Sequence, residues 1–211
     1  MARRLFMWAR RSTFGDDLLT LKLIDVDYRN DISAYFEREK ATLDAISKDD
    51  LNTLMNLLVE AKDAGKTIFI MGNGGSAATA SHYVCDFNKG ISMDKEKKFR
   101  FLCLNDNVPT MMAYANDLSY ADVFVGPLNN FMQEGDIVIG ISGSGNSENV
   151  VRAIQYANEN GGVTVGLTGY SGGKVKQLSK YNVHVPIDDM QITEDLHMVL
   201  DHCMMKILCR Y

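Results

Sequence analysis

The sequence predicts an α/β fold, a doubly wound parallel sheet with a helical extension ahead of it. Three observations carry this reading. Apolar runs of strand length recur at 67–71, 99–104, 137–141 and 163–168, with a shorter one at 183–186. Helix-like segments separate them, and strands alternating with helices imply right-handed crossovers and a parallel sheet covered on both faces. Loops of small polar residues stand at the carboxyl ends of the runs, where sheets of this kind bind their ligands.

The chain is 211 residues long, 46% hydrophobic and 23% charged, enough apolar material for one sizeable core. Residues 1–27 read as a basic arm and residues 28–211 as the folded domain. In the arm, Arg3, Arg4, Arg10 and Arg11 flank a short apolar patch around Phe6 and Trp8. A loosely packed start and a targeting segment both remain open, although the patch is shorter than the apolar region of a signal peptide. No segment approaches the roughly 18 apolar residues of a membrane span, so no membrane partner is expected. The net charge of -5 argues against a nucleic-acid partner. Cys85, Cys103, Cys203 and Cys209 show no CxxC spacing, which favours a reducing, cytoplasmic location.

Two helices come first. Ile32, Tyr35, Phe36, Leu43 and Ile46 recur near helical spacing within 28–47, as do Leu51, Leu54, Leu57, Leu58 and Ala61 within 49–64. Ser47 is placed to cap the second and Gly65 to close it. Two helices before the first strand exceed what a sheet needs, which points to packing across a subunit boundary. Strand 67–71 then leads through Asn73, Gly74, Gly75 and Ser76 into a helix over 77–88. Strand 99–104 leads through Asn105 and Asp106 to a helical run at 110–115. Strand 137–141 is followed by a helix over 149–160, strand 163–168 by a helix over 174–179, and strand 183–186 by a closing helix over 194–209.

The organising stretch is the third strand and its loop, Ser142-Gly143-Ser144-Gly145-Asn146-Ser147. A buried strand feeding a helix through such a loop aims backbone N–H groups and the positive end of the helix dipole at one point. Three hydroxyls add donors without bulk. This is a site for an anion, most economically a phosphate; the plainer alternative is a strand–helix turn with serine caps.

His82 and Asp86 follow the first loop four residues apart, on one helical face. The closing segment carries Glu194, Asp195, His197, Asp201 and His202. A histidine and a carboxylate from each of two helices have the ligand types of a zinc site. Ordinary i,i+4 pairs, His82–Asp86 and His197–Asp201, are the other reading. Glu194 and His202 are about 12 Å apart along a continuous helix, so they share one ion only if Glu194 lies at a frayed start.

These residues carry a family resemblance. Gly72-Asn73-Gly74-Gly75-Ser76, His82, Asn116-Asp117, Gly140-Ile141-Ser142 with Ser144-Gly145-Asn146-Ser147 one residue on, Leu167-Thr168-Gly169, Gly172-Gly173, His197 and His202 stand in the order found in the sugar isomerase (SIS) fold. Within it the chain resembles the phosphoheptose isomerases, which convert sedoheptulose 7-phosphate to D-glycero-D-manno-heptose 7-phosphate. The resemblance implies flavodoxin-like subunits in a homotetramer with sites at subunit interfaces. It implies a sugar phosphate held by Asn73, Gly74, Gly75, Ser76, Asn105, Asp106, Ser142, Gly143, Ser144, Ser147 and Glu194. It implies zinc at His82, Asp86, Glu194 and His202. Proton transfer through an enediol would use Asp86 as base and His202 as its acid–base partner. The chain departs from the family pattern at Asp86, where a Glu is usual, at Glu194 in place of Gln, and at Gly143 in place of Thr. A non-catalytic phosphosugar-binding or regulatory protein of the same fold is the alternative.

Overall fold

The fold is seen in a computed structural model in which residues 26–211 are described. The expected arm lies outside the described residues, apart from Val26 and Asp27. Eight α-helices are present among the described residues: α1 (Arg29–Ala45), α2 (Lys48–Asp63), α3 (Gly75–Cys85), α4 (Val108–Asp117), α5 (Val125–Phe131), α6 (Glu148–Glu159), α7 (Gly173–Leu178) and α8 (Met190–Leu208). Five parallel strands, β1 (Ile68–Met71), β2 (Phe101–Cys103), β3 (Ile137–Ser142), β4 (Val163–Thr168) and β5 (Tyr181–His184), form one sheet in the order β2-β1-β3-β4-β5. This is the doubly wound α/β architecture that the alternation of elements predicts. The order reverses between β1 and β3, and such a switch point is where open parallel sheets bind ligands.

Strand periodicity divides the core. Ile68 and Ile70 of β1, with Ile137, Ile139 and Ile141 of β3, face one side, where α2, α3 and α8 cover them. Phe69, Met71 and Val138 face the other, against α5, α6 and α7. Alternate side chains of a strand point to opposite faces, so runs buried on both sides read as continuously apolar. Gly140 lets α6 approach: a Cβ there would lie 2.7 Å from Val150 Cγ1.

Local signals set most boundaries. Ser47 caps α2, its hydroxyl accepting from the Asp50 N–H at 3.1 Å. The helix expected over 77–88 instead ends at Cys85 and passes into a π-helical turn, Asp86–Ile91. Asn88 holds that wider turn, exchanging hydrogen bonds of 2.9 Å with the Phe101 backbone, while the Ser92 hydroxyl donates to the Phe87 carbonyl at 2.7 Å. The closing helix starts at Met190, a turn before the expected 194. Asp189 caps it by accepting from the Ile192 N–H at 3.3 Å, and its carbonyl accepts from the Thr193 hydroxyl at 2.7 Å. The 3-10 turn Tyr120–Asp122 and helix α5 occupy a region where the sequence reading places no element. The fifth strand runs two residues earlier than expected, its register set by pairing Val183 with Leu167.

Helix α1 stands outside the core, with Thr42 its buried residue. It is tied to α8 by the Tyr35 hydroxyl on Asp195, and to the residue ahead of α8 by an Arg38–Asp189 ion pair of 2.8 Å. Ile32, Phe36 and Leu43 of α1 are exposed in the single chain.

Asp136 fastens the start of the sheet. It is buried, and its two carboxylate oxygens accept from the Thr67 and Gln133 N–H groups at 2.9 Å each. Asp136→Ala takes the acceptor from the Thr67 and Gln133 N–H groups and is expected to cost about 1–3 kcal/mol, read as a lowered urea midpoint with unchanged slope.

Candidate active site

Helices α3 and α6 both begin at the switch point, one after β1 and one after β3. Their first turns, with the loops that precede them, line a cleft of about 270 Å³ containing Asn73, Gly74, Gly75, Ser76, Ser142, Gly143, Ser144 and Ser147. Neither helix start carries a side-chain cap: Gly74 precedes α3, and the Ser147 hydroxyl makes no cap bond to α6. Instead Ser147 Oγ lies 3.1 Å from Ser142 Oγ. The serines are therefore not spent as helix caps; the Ala77 and Ala78 N–H groups turn to the Gly74 carbonyl and the Val150 N–H to Asn149 Oδ1, which leaves the N–H groups of Gly75, Ser76, Glu148 and Asn149 at the two helix starts for an anion. Among the described residues no Lys or Arg lines it. An anion here would be held by N–H and hydroxyl donors rather than by a formal cation.

Both loops are braced from behind. Asn105 pins the first, accepting from the Gly72 N–H at 3.2 Å and donating to the Gly72 carbonyl at 2.8 Å. Asn73 and the buried Asn149 exchange amide hydrogen bonds of 2.9 Å, and the Tyr120 hydroxyl donates to Asn73 Oδ1 at 2.8 Å. Asp106 accepts from the Ser81 hydroxyl. So Asn105 and Asp106, expected to touch substrate, make these bonds to the loop and to α3. The serine loop leans on the β4–α7 connection, with the Val175 N–H on the Gly145 carbonyl at 2.9 Å and the Gly169 N–H on the Gly143 carbonyl at 2.9 Å. Gly145 has φ +66° and an added Cβ would lie 1.9 Å from the Gly172 carbonyl oxygen, so only glycine fits. At Gly143 a Cβ would lie 2.7 Å from Met190 Sδ, so a side chain there requires the methionine to move.

The second cluster lies further along α3. His82, Asp86, Asp201 and His202 each bring one ligand-type atom within 4.8 Å of the others. His82 Nε2 is 3.0 Å from His202 Nε2, 3.7 Å from Asp86 Oδ2 and 4.0 Å from Asp201 Oδ2, and His202 Nε2 is 3.9 Å from Asp86 Oδ2. Ligand atoms about 2.0–2.2 Å from a tetrahedral zinc are about 3.3–3.6 Å apart, so the donor types and spacing fit a divalent cation. One chain supplies both histidines. The half-exposed rings face solvent and Asp86 is mostly covered, while Asp201 is fully buried with neither oxygen hydrogen-bonded. Burial, and then the charge of Asp86, push the Asp201 carboxyl up to about 7.

The structure thus brings together His82, Asp86 and His202 as the sequence expects, and separates Glu194 from them. Because α8 starts at Met190, Glu194 sits in its second turn rather than at a frayed end. Its carboxylate lies against Gly75, where an added Cβ would be 2.2 Å from Glu194 Oε2, and it lines the phosphate-type cleft. Asp201 stands in the cluster instead. Its sequence signals are adjacency to His202 and the four-residue spacing from His197, a pair that makes no hydrogen bond in the structure. Tyr120 and Asn149, which hold Asn73, give no sequence signal at all, since their roles depend on distant loops.

The SIS domain model matches residues 27–169. The chain belongs to the SIS domain family. As an SIS protein it is 31% identical over 185 residues to the phosphoheptose isomerase of Clostridium acetobutylicum, covering 88% of this chain and 92% of that one. It is 33% identical over 187 residues to the phosphoheptose isomerase of Helicobacter pylori strain P12, covering 89% and 94%. The solved structure of the phosphoheptose isomerase from Neisseria gonorrhoeae superposes with a TM-score of 0.80 at 26% identity, over 88% of this chain and all of that one. No described helix of this SIS domain is long and apolar enough to cross a membrane.

His197 lies in α8 one turn before Asp201, fully buried with neither ring nitrogen hydrogen-bonded. Burial pushes it down to about 4 from an ordinary 6.5, with a smaller contribution from His184. Only the unfolded chain takes up this proton between those values, so stability is retained above pH 6.5 and lost as pH falls through the window. By pH 4.5 the loss is about 2 kcal/mol. In urea unfolding at pH 7 and 4.5, His197→Phe is expected to show a smaller acid-side loss than the unsubstituted chain by about that amount.

Proposed function

We propose that the protein is a phosphosugar aldose–ketose isomerase of the phosphoheptose type, converting sedoheptulose 7-phosphate to D-glycero-D-manno-heptose 7-phosphate. The observation that carries this is one helix with two chemistries. The N-terminus of α3 opens on an anion cleft, and His82 stands about 10 Å further along the same axis, beside Asp86 and His202. A phosphate at one end and an acid–base group at the other suit a substrate with several carbons between its phosphate and its reacting end. Phosphoheptose isomerases are the relatives this chain matches over most of its length.

In this reading the phosphate sits against the α3 and α6 N-termini and the hydroxyls of Ser142, Ser144 and Ser147. Binding energy gathered there orients carbons 1 and 2 at the histidines. Glu194, beside Gly75, accepts from sugar hydroxyls. Asp86 removes a proton from carbon 1 of the ketose while His202 donates one to the carbonyl oxygen on carbon 2. The enediol collapses when His202 takes the proton from the oxygen on carbon 1 and Asp86 returns its proton to carbon 2, giving the aldose. His82, Asp86 and His202 would hold a divalent ion, zinc by ligand type, which polarises the carbonyl and hydroxyl oxygens as a Lewis acid.

The exposed Ile32, Phe36 and Leu43 of α1, and Val108, Met112 and Leu118 on and just after α4, support assembly of several chains; a homotetramer with sites near subunit interfaces accounts for them. Four unpaired cysteines suit a cytoplasmic setting.

NMR of the purified chain with sedoheptulose 7-phosphate is the direct test, with turnover to an aldoheptose 7-phosphate expected. Asp86→Asn is expected to lower kcat by about 10²–10⁴-fold with KM little changed. Ser144→Ala is expected to raise KM about tenfold, from the loss of one donor to a charged phosphate. Absence of turnover by the unsubstituted chain with this and shorter ketose phosphates would sink the proposal.

A further inference from the structure

Asp201 has no place in the reaction just described, yet it is the most constrained group near it. Its side chain is fully buried, neither oxygen has a hydrogen-bond partner, and Oδ2 faces His82 Nε2 at 4.0 Å. Both Asp201 and Asp86 present an oxygen within 4.8 Å of the other and of both imidazoles. A buried carboxylate without donors is strongly disfavoured, and a second carboxylate beside it adds repulsion. The packing that enforces this arrangement is firm: Leu196, Leu200 and Met204 of α8 are in the core with Tyr83 and Phe87, on either side of Asp86.

Among the described residues no donor hydrogen-bonds to Asp201, and His82 Nε2 at 4.0 Å is its one ion-pair neighbour. The Tyr83 hydroxyl is committed to the His197 carbonyl at 3.3 Å, His197 lies one turn away with no bond to Asp201, and no Lys or Arg is within ion-pair distance of either carboxylate among the described residues. A divalent cation bounded by the two imidazoles would satisfy both carboxylates and neutralise their charge. We propose that Asp201 is itself a ligand of the divalent ion, so that the centre is built from two histidines and two aspartates, with Glu194 outside it. This rests on the isomerase reading only for the purpose of the ion; the donor set stands on geometry.

The arrangement divides labour between the carboxylates. Asp201, sealed from solvent, serves as an anchoring anion that no substrate can reach. Asp86, nearer the exposed rims of the histidines, is relieved of being the sole anionic ligand and keeps an oxygen for proton transfer. Two carboxylates with two imidazoles also present a harder donor set than thiolate sites, open to manganese or iron as well as zinc.

Chelator-stripped full-length protein titrated with Zn²⁺ against a chromophoric chelator tests this. Asp201→Asn, nearly isosteric, is expected to weaken binding at least about tenfold, and Glu194→Gln to leave it unchanged in the absence of substrate. Asp201→Cys loaded with Co²⁺ gives a second, positive readout: a thiolate-to-cobalt charge-transfer band appears only if residue 201 reaches the ion. Unchanged Zn²⁺ affinity in folded Asp201→Asn, or Co²⁺ bound to Asp201→Cys without that band, overturns the proposal. So does a loss of affinity in Glu194→Gln in place of Asp201→Asn, or an unsubstituted chain that binds no divalent ion. Loss of the ion on Asp201→Asn in a chain that isomerises no ketose phosphate upholds the donor set and removes the isomerase reading instead.

Discussion

The adjacency of β1 and β3 is the constraint on which the rest depends. The chain leaves β1 for an outer position at β2 and returns to pair β3 on the other side of β1. The helices after these two central strands are thereby sent to opposite faces of the sheet, α3 with the first core and α6 with the second. Between their starts a cleft opens at the carboxyl end of β3, with Ile141 and Ser142 in its lining. Backbone N–H groups line it because both helices begin there, and the glycines and serines are what such close approach permits.

The lining of that cleft carries no basic residue among those described. Helix starts and hydroxyls are short-range, directional donors, so they would recognise a phosphate by position rather than by bulk attraction. Negative groups stand nearby in Glu194 and in the aspartates of the second cluster, and a cation held among the histidines would offset them. Helix α8 is the joint between these parts. It carries Glu194 to the cleft, His197 into the core and Asp201 with His202 to the cluster, while its apolar residues lock its rotation against α3. A change in that rotation would move all three at once.

Much of this is legible in the residues themselves. Strand runs buried on both faces, the glycine and serine loops, Ser47 before α2 and the His82–Asp86 pair rest on periodicity and short spacing, which hold wherever the chain goes. The boundaries that moved did so where distant groups intervened. Asn88 reaches the β2 backbone and turns the end of α3 into a π-helical turn, and Asp189 starts α8 a turn early.

The sequence by itself determined the alternation of strands and helices, the chemistry of the two loops and the presence of two histidines with carboxylates on helices that could meet. Tertiary structure alone decided that Asn105 and Asp106 brace loop and helix, that Gly143 makes room for Met190, and that Asp201 rather than Glu194 faces the histidines. The reason is physical. Spacing along one helix says which residues share its face, but which face meets which neighbour is set by the packing of Leu196, Leu200 and Met204 against side chains more than a hundred residues away.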